Sequence, residues 1–329
     1  MRQVEVPAPF LLGSLFGVWG AGLVFKNLRK HLMVALGLHK FVVIGLAVFI
    51  GAMFSSTLFS QIEAWWLTVT LMLTLTIVAT MIGFFYLHHL RGYDRDLAIM
   101  CCMPGGQAEL IAISRDLVEK DYVVALCHLV RVTLVLCITP VLLTLGQLSP
   151  ESGLSDQMIN SMPSVVDIDG ISAGSFVLVG VFGYLLGIFF RLPMPHLFGP
   201  LLVSSILHGL GVVELPRVSE FVVLAQVVIG AGVGSRLACV DGKEIFGALF
   251  DALVNALLLL SIYIGTAWIL SVTLPLPFLD LYLAFAPGGI YEVTLLALLF
   301  SLDVAFVAFH HTLRILLIVA SIPFLIRRK

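Results

Sequence analysis

Nine stretches of the chain are apolar over a length that can cross a bilayer as a helix: about 8–25, 41–60, 64–90, 122–145, 173–190, 196–213, 219–236, 245–273 and 303–326. Spanning hydrocarbon takes roughly 20 such residues. Two further stretches, 97–114 and 280–301, are as apolar but carry Pro-Gly-Gly in their middle, in Met103-Pro-Gly-Gly-Gln-Ala-Glu109 and Ala286-Pro-Gly-Gly-Ile-Tyr-Glu292. A helix does not run through Pro-Gly-Gly, because Pro lacks a donor and clashes with the preceding turn while Gly is a poor helix former. The sizeable hydrophilic connection is 146–172, with Glu151, Asp156, Asp167 and Asp169 among Ser and Gly. It reads as an exposed acidic linker between a first membrane repeat (1–145) and a second (173–329). The pattern predicts an all-α polytopic membrane protein of about nine transmembrane helices with two broken stretches.

The halves repeat each other. A shift of 183 positions lays Pro104, Gly105, Gly106 and Glu109 on Pro287, Gly288, Gly289 and Glu292, and lays His128 on His311 and Arg131 on Arg314. Val124, Ala125, Leu134 and Pro140 also find identical partners, ten identities in 37 positions. The matches fall on Pro, Gly, Glu, His and Arg, which an apolar composition would seldom pair. Upstream the match is looser: Pro9-Phe-Leu-Leu-Gly13 against Pro195-His-Leu-Phe-Gly199, and Gly51-Ala52 against Gly230-Ala231. Segment 173–190 has no counterpart before residue 8, so the first repeat is expected to lack its opening helix, or the chain to start upstream of this Met.

Composition and charge fix the class and orient it. Hydrophobic residues are 60% and charged residues 12%, where a soluble domain carries about 25% charged residues. The early apolar run has no small-residue cleavage site and is closed by Lys26, Arg29 and Lys30, so it reads as a membrane segment rather than a leader. A net charge of -2 and short loops exclude a nucleic-acid surface. Cys101, Cys102, Cys127, Cys137 and Cys239 lie in or beside apolar segments and form no CxxC, so they read as packing residues rather than a disulfide or zinc framework.

If both Pro-Gly-Gly stretches are re-entrant hairpins and the N-terminus is outside, fourteen Lys and Arg face the cytoplasm and two, Arg2 and Arg217, face out. If both stretches span, the count is ten against six. The positive-inside rule favours hairpins and, with them, two inverted repeats. Kinked spanning helices in parallel repeats are the alternative.

Broken helix inside a bilayer is tolerated where it is buried in protein or lines a cavity. Paired breaks in two inverted halves point to a transporter binding site. Pro104 lies eight residues beyond Asp96, about 12 Å at 1.5 Å per residue, which puts the tip near the midplane. Arg131 and Arg314 reach a similar depth in the following helices, each three residues after a His on the same face. The candidate site is therefore Pro104, Gly105, Gly106, Glu109, His128 and Arg131 with Pro287, Gly288, Gly289, Glu292, His311 and Arg314. On one reading each Glu binds a proton or cation and each Arg an anionic group. On the other, each Glu caps its own hairpin and each Arg ties that hairpin to the next helix. His88 and His89 read as interfacial, His310 points to another face, and nine scattered His indicate no metal centre. Asp251 and Asn255 share a helical face, lining a path or bonding to each other, and Gly230-Ala-Gly-Val-Gly234 is a small-residue face for close packing.

Two copies of Pro-Gly-Gly-x-x-Glu, each followed by His-x-x-Arg and a later Pro, resemble the duplicated module of the bacterial membrane AbrB family, most strongly at 98–143 and 281–326. Its members carry labels such as AbrB-family transcriptional regulator and ammonia monooxygenase. The resemblance implies a multi-pass protein of the bacterial inner membrane tied to regulation of gene expression. The residues themselves offer neither a DNA-contacting surface nor a metal site, so neither label follows from them. The architecture is similar, at fold level only, to secondary transporters of the cation–proton antiporter and bile-acid symporter type. The expected function is transport of a small anionic or zwitterionic metabolite with no cofactor, coupled to H+ or Na+. The bilayer and the solute are the expected partners, nucleic acid is not, and a homo-oligomer is compatible with the sequence. A membrane regulator or sensor is the second reading and a metal-dependent membrane monooxygenase the third.

Overall fold

A computed structural model describes residues 8–25, 27, 29, 31–54, 58–104, 110, 111, 113, 114, 117–145, 159, 162–239 and 243–325, without the side chains of 58–62, 143–145, 243–245 and 323–325. Every described element is helical: α1 Pro9–Val24, α2 Leu36–Gly51, α3 Leu58–Phe85 continued by a π turn at Tyr86–Leu90, α4 Arg95–Cys102, α5 Asp121–Leu145, α6 Gly170–Phe189, α7 Pro195–Gly209, α8 Ser219–Ala238, α9 Lys243–Thr273, α10 Phe278–Phe285, α11 Ile290–Leu299 and α12 Val304–Leu325. Six of these helices are long and apolar enough to cross a membrane, and further shorter apolar helices accompany them. The chain is an all-α polytopic membrane protein. Its lipid-type surface shows on α6, where Val177, Leu178, Val181, Phe182, Leu185, Ile188 and Phe189 are all exposed.

The expected span 41–60 is displaced to Leu36–Gly51. His39 and Lys40 made its start look polar, but Lys40 is exposed, and such side chains bury their stems along apolar surface and keep the charge in water. α6 starts at Asp169, whose carboxylate accepts from Ser172 N at 3.3 Å; hydrogen bonding to Ser172 holds that carboxyl below the usual range.

The helices gather into two compact units, each drawn from both halves of the sequence. One unit contains α1, α2 and α6–α8. α1 and α7 both open with Pro at the first helical position after a residue in the left-handed region, Ala8 (φ 53) and Met194 (φ 45), so the looser upstream repeat is real in the backbone. The pairing is exchanged between halves. α1 packs on α8, and α7 packs on α2. A Cβ on Gly230 would collide with Ser14 and the Leu11 carbonyl, and one on Gly234 with the Leu15 carbonyl. On the other side a Cβ on Gly51 would sit 2.8 Å from the Leu201 carbonyl, and Ser204 donates to Val48 O at 2.7 Å. Gly230-x-x-x-Gly234 is thus a close-packing face, as its small residues suggested. α6 meets α7 in the same manner: a Cβ on Gly183 would meet Pro200 backbone at 2.7 Å and one on Gly187 would meet Pro195 O at 2.6 Å.

The other unit contains α3 from Trp65, α4, α5 to Thr139, α9, α10, the first residues of α11, and α12 from Phe306. Its hydrogen bonds fix the course of the chain. His128 lies 3.1 Å from Met100 O, and three residues on, Arg131 lies 2.9 Å from Met103 O, so α4 and α5 advance in the same sense. A chain that leaves α4 at Cys102 must come back to the level of α4's start before α5 begins at Asp121. The second copy repeats this through His311 to Leu283 O at 2.8 Å and Arg314 to Phe285 O at 2.9 Å, so α10 and α12 also run together. Pro287-Gly-Gly289 is therefore the tip of a hairpin that enters and leaves on one side, and the described residues of the first copy follow the same course up to Pro104.

Between the copies the sense reverses. A Cβ on Gly288 would lie 3.5 Å from Val135 Cγ1, whereas Thr139 Oγ1 is 3.3 Å from Tyr282 Oη. Moving forward along α5 from 135 to 139 thus moves backward along the second hairpin from 288 to 282. α10 and α12 oppose α5, and the equivalent helices of the two repeats point in opposite directions.

Candidate functional site

Each hairpin breaks for the same local reason. A residue before Pro is pushed out of the helical region, and Met103 (ψ 119) and Ala286 (ψ 139) both take up extended backbone. The last helical bonds are Met103 N to Ile99 O at 3.1 Å and Ala286 N to Tyr282 O at 2.7 Å. Beyond them the final carbonyls of α4 and α10 have no intrahelical partner, and in an apolar interior each orphan is costly.

The His-x-x-Arg pairs satisfy those carbonyls. In the first copy His128 Nε2 faces Met100 O, and Arg131 Nη2 lies 2.9 Å from Met103 O and 2.7 Å from His128 Nδ1. In the second, His311 Nε2 faces Leu283 O, Arg314 Nη1 donates to Phe285 O, and Arg314 Nη2 is 2.8 Å from His311 Nδ1. A carbonyl on one side and a guanidinium donor on the other settle the tautomer: each imidazole donates from Nε2 and accepts at Nδ1. Both ring nitrogens are therefore committed, so His128 and His311 position their arginines. The shift of 183 residues carries Met100 onto Leu283 and His128 onto His311 without error.

All four side chains are deeply buried, Arg131 at 2% exposure and the others at 0%. Capping does not use up the arginines. Nε and Nη1 of Arg131 and Nε of Arg314 have no hydrogen-bond partner among the described residues. The ion pairs among those residues are Arg91–Asp251 and Arg95–Asp96, so neither buried arginine is paired with a described carboxylate.

Of the other expected site residues, Pro104 is buried directly after Met103, while Gly105, Gly106 and Glu109 lie outside the described residues. Pro287, Gly288 and Gly289 are buried. Glu292 is 2% exposed in the first turn of α11, folded back so that a Cβ on Gly289 would collide with its carboxylate. A carboxylate over a helix N-terminus meets free N–H groups and the positive end of the dipole.

Tyr263 on α9 was not among the expected residues. It is fully buried, it lies within electrostatic reach of both Arg131 and Arg314, and its hydroxyl has no hydrogen-bond partner among the described residues. A polar group deep inside an apolar helix is the signal that could have found it. His310 turns away from His311, packing on Phe306 and lying 3.0 Å from Thr68 Oγ1. Asp251 and Asn255 take different partners. Asp251 pairs with Arg91 Nε at 2.6 Å and accepts from Tyr93 at 3.0 Å; Asn255 Oδ1 faces Cys102 Sγ at 3.9 Å. Burial and then the Asp251 charge push the Tyr93 hydroxyl's pKa up, which keeps it a donor.

The family described as transition state regulatory protein AbrB matches residues 10–329. Among curated proteins the chain is similar to "Putative regulator AbrB" of Escherichia coli K12, 26% identical over 333 residues and covering 98% of this chain and 90% of that one. It is also similar to "Uncharacterized protein YhjN" of Bacillus subtilis 168, 23% identical over 287 residues, 84% of this chain and 75% of that one. No solved structure matches. With the family match running from α1 to the last residue, the chain belongs to the AbrB family.

Proposed function

We propose that this protein is a secondary transporter of the bacterial inner membrane that carries a small anionic or zwitterionic metabolite through a site between two inverted repeats. One observation carries the reading: two hairpin tips approach α5 from opposite senses within about a turn of each other, each tip held by a buried arginine with unused donors. Opposed broken helices whose tips meet at mid-depth suit alternating access, because the site can open toward either end. Glu292, and Glu109 by the repeat, are the proposed sites for a coupling H+ or Na+.

Flux of a labelled metabolite panel into proteoliposomes tests this. Gradient-driven uptake of at least one acidic metabolite is expected, with Glu109→Gln plus Glu292→Gln cutting the rate at least tenfold. Uptake by the double variant at the wild-type rate removes the carboxylates from the site. Arg115→Cys and Ser301→Cys, placed singly in a background without native cysteines, should be labelled from opposite faces; labelling from one face breaks the inverted topology. A membrane regulator is the second reading, favoured by the printed name of the Escherichia coli relative. It gains if no metabolite is carried while a stable protein partner co-purifies.

A further inference from the structure

α9 runs between the bases of the two hairpins. Its Asp251 pairs with Arg91 just ahead of α4, and it ends at Thr273 just ahead of α10. Tyr263 stands twelve residues from one mark and ten from the other, about 18 Å and 15 Å at 1.5 Å per residue. That places it at mid-depth, at the level the two tips approach. The neighbouring Thr76 gives its own proton to Met72 O at 2.8 Å, so toward the tyrosine hydroxyl it can act only as an acceptor, and that hydroxyl makes no well-formed hydrogen bond among the described residues.

Around this point Nε and Nη1 of Arg131, Nε of Arg314 and the hydroxyl of Tyr263 can each offer a proton that no described acceptor takes up with good geometry. The two guanidinium groups also lie within electrostatic reach of one another. Two buried guanidinium groups with no described carboxylate in ion-pair contact are unfavourable, and a buried donor without an acceptor adds to the cost. An amine or a metal cation would worsen both. A neutral apolar solute would relieve neither. An oxyanion relieves both, because it brings negative charge and several lone pairs, and guanidinium-to-oxyanion bonds are among the strong ones.

We infer that Arg131, Arg314 and Tyr263 form a donor cradle for an oxyanion, a carboxylate or phosphate group of the solute, with Tyr263 as a specificity-determining contact. The cradle rests on the transport reading only for how the solute reaches it. A site built to hydrogen-bond an acceptor rejects analogues that lack one, because its own polar groups are then left unpaired.

Thermal unfolding of the purified full chain in detergent, titrated with succinate or with inorganic phosphate against chloride at matched ionic strength, tests the cradle. The wild type should show a saturable rise in unfolding temperature with at least one of the two anions and none with chloride; which of the two acts separates carboxylate from phosphate. Tyr263→Phe should weaken that anion about tenfold, the value of one hydrogen bond to a charged group. Without anion it should unfold at the wild-type temperature or above, because it removes an unpaired buried hydroxyl. No response to either anion beyond that to chloride overturns the proposal. So does a Tyr263→Phe variant that binds as the wild type does, or one that unfolds lower in the absence of anion, which would make Tyr263 a structural residue. Tyr263-dependent binding without flux keeps the cradle and sinks the transport reading. Flux with unchanged affinity in Tyr263→Phe does the reverse.

Discussion

The two hairpins are closed by the same chain of groups, carbonyl to imidazole to guanidinium, but they spend their arginines differently. Arg131 makes both its contacts through Nη2 and leaves Nε and Nη1 unpartnered. Arg314 divides its contacts between Nη1 and Nη2 and leaves only Nε. The acceptors also differ in register. Arg131 takes the carbonyl of the extended residue, Met103, and Arg314 takes that of the last helical residue, Phe285. One sequence motif thus yields one arginine committed mainly to structure and one with more donors to offer a ligand. Equivalence in sequence carried over to the carbonyl each histidine faces, Met100 O and Leu283 O, but not to the carbonyl each arginine takes.

That asymmetry is open to direct attack. Arg314→Met leaves Phe285 O and His311 unpaired in a dry interior and should cost about 4 kcal/mol of stability. Arg131→Met likewise leaves Met103 O and His128 unpaired, but it removes two unpartnered buried nitrogens where Arg314→Met removes one, so it should cost about 1 kcal/mol less, roughly 3 kcal/mol. Denaturant unfolding in detergent micelles measures both, and equal losses would end the comparison. The ligand side should invert the order. Arg131→Met is expected to abolish any anion response, whereas an Arg131→Lys variant, carrying a charge but no planar fork, should keep only part of it.

The histidines sharpen the same contrast, because here the copies agree. His128→Leu and His311→Leu each strip a carbonyl of its donor and an arginine of its acceptor. Each should lose about 2 kcal/mol, with the two values within about 0.5 kcal/mol of one another, the usual scatter for independent sites. A large difference between them, seen in the same unfolding experiment, would mean that the shared geometry does not translate into shared energetics.

Much of this was readable before the fold was known, for a physical reason. Pro-Gly-Gly interrupts a helix whatever surrounds it, so both breaks were legible, while the tie of each arginine to its hairpin was one of two readings the sequence left open. The acceptor chosen by each arginine was not legible, since α4 and α10 stop at equivalent residues, Cys102 and Phe285, and yet Arg131 takes the carbonyl one residue further on. Tyr263 was missed because a tyrosine in an apolar helix reads as packing until two arginines are found beside it. Asp251 and Asn255 look like a local pair at i and i+4, but Arg91 and Cys102 claim them instead. Nor did the order of elements reveal the exchange by which α1 packs on α8 and α7 on α2, because shape complementarity between small residues leaves little trace in composition.

That exchange supplies the gentlest test of two-fold equivalence. Gly230→Ala drives a methyl into Ser14 and the Leu11 carbonyl, and Gly51→Ala drives one into Ser204 and the Leu201 carbonyl. Backbone oxygen cannot move aside as a flexible side chain does, so the helices must part, and each variant should cost about 1.5 kcal/mol. Gly17 provides the control on α1 itself, since a Cβ there meets nothing within 4 Å. Gly17→Ala should be neutral or stabilising by up to about 1 kcal/mol, as alanine is the better helix former. If Gly17→Ala destabilises as much as Gly230→Ala, the cost belongs to the helix backbone rather than to the interface, and the reciprocal packing of the two repeats loses its energetic meaning.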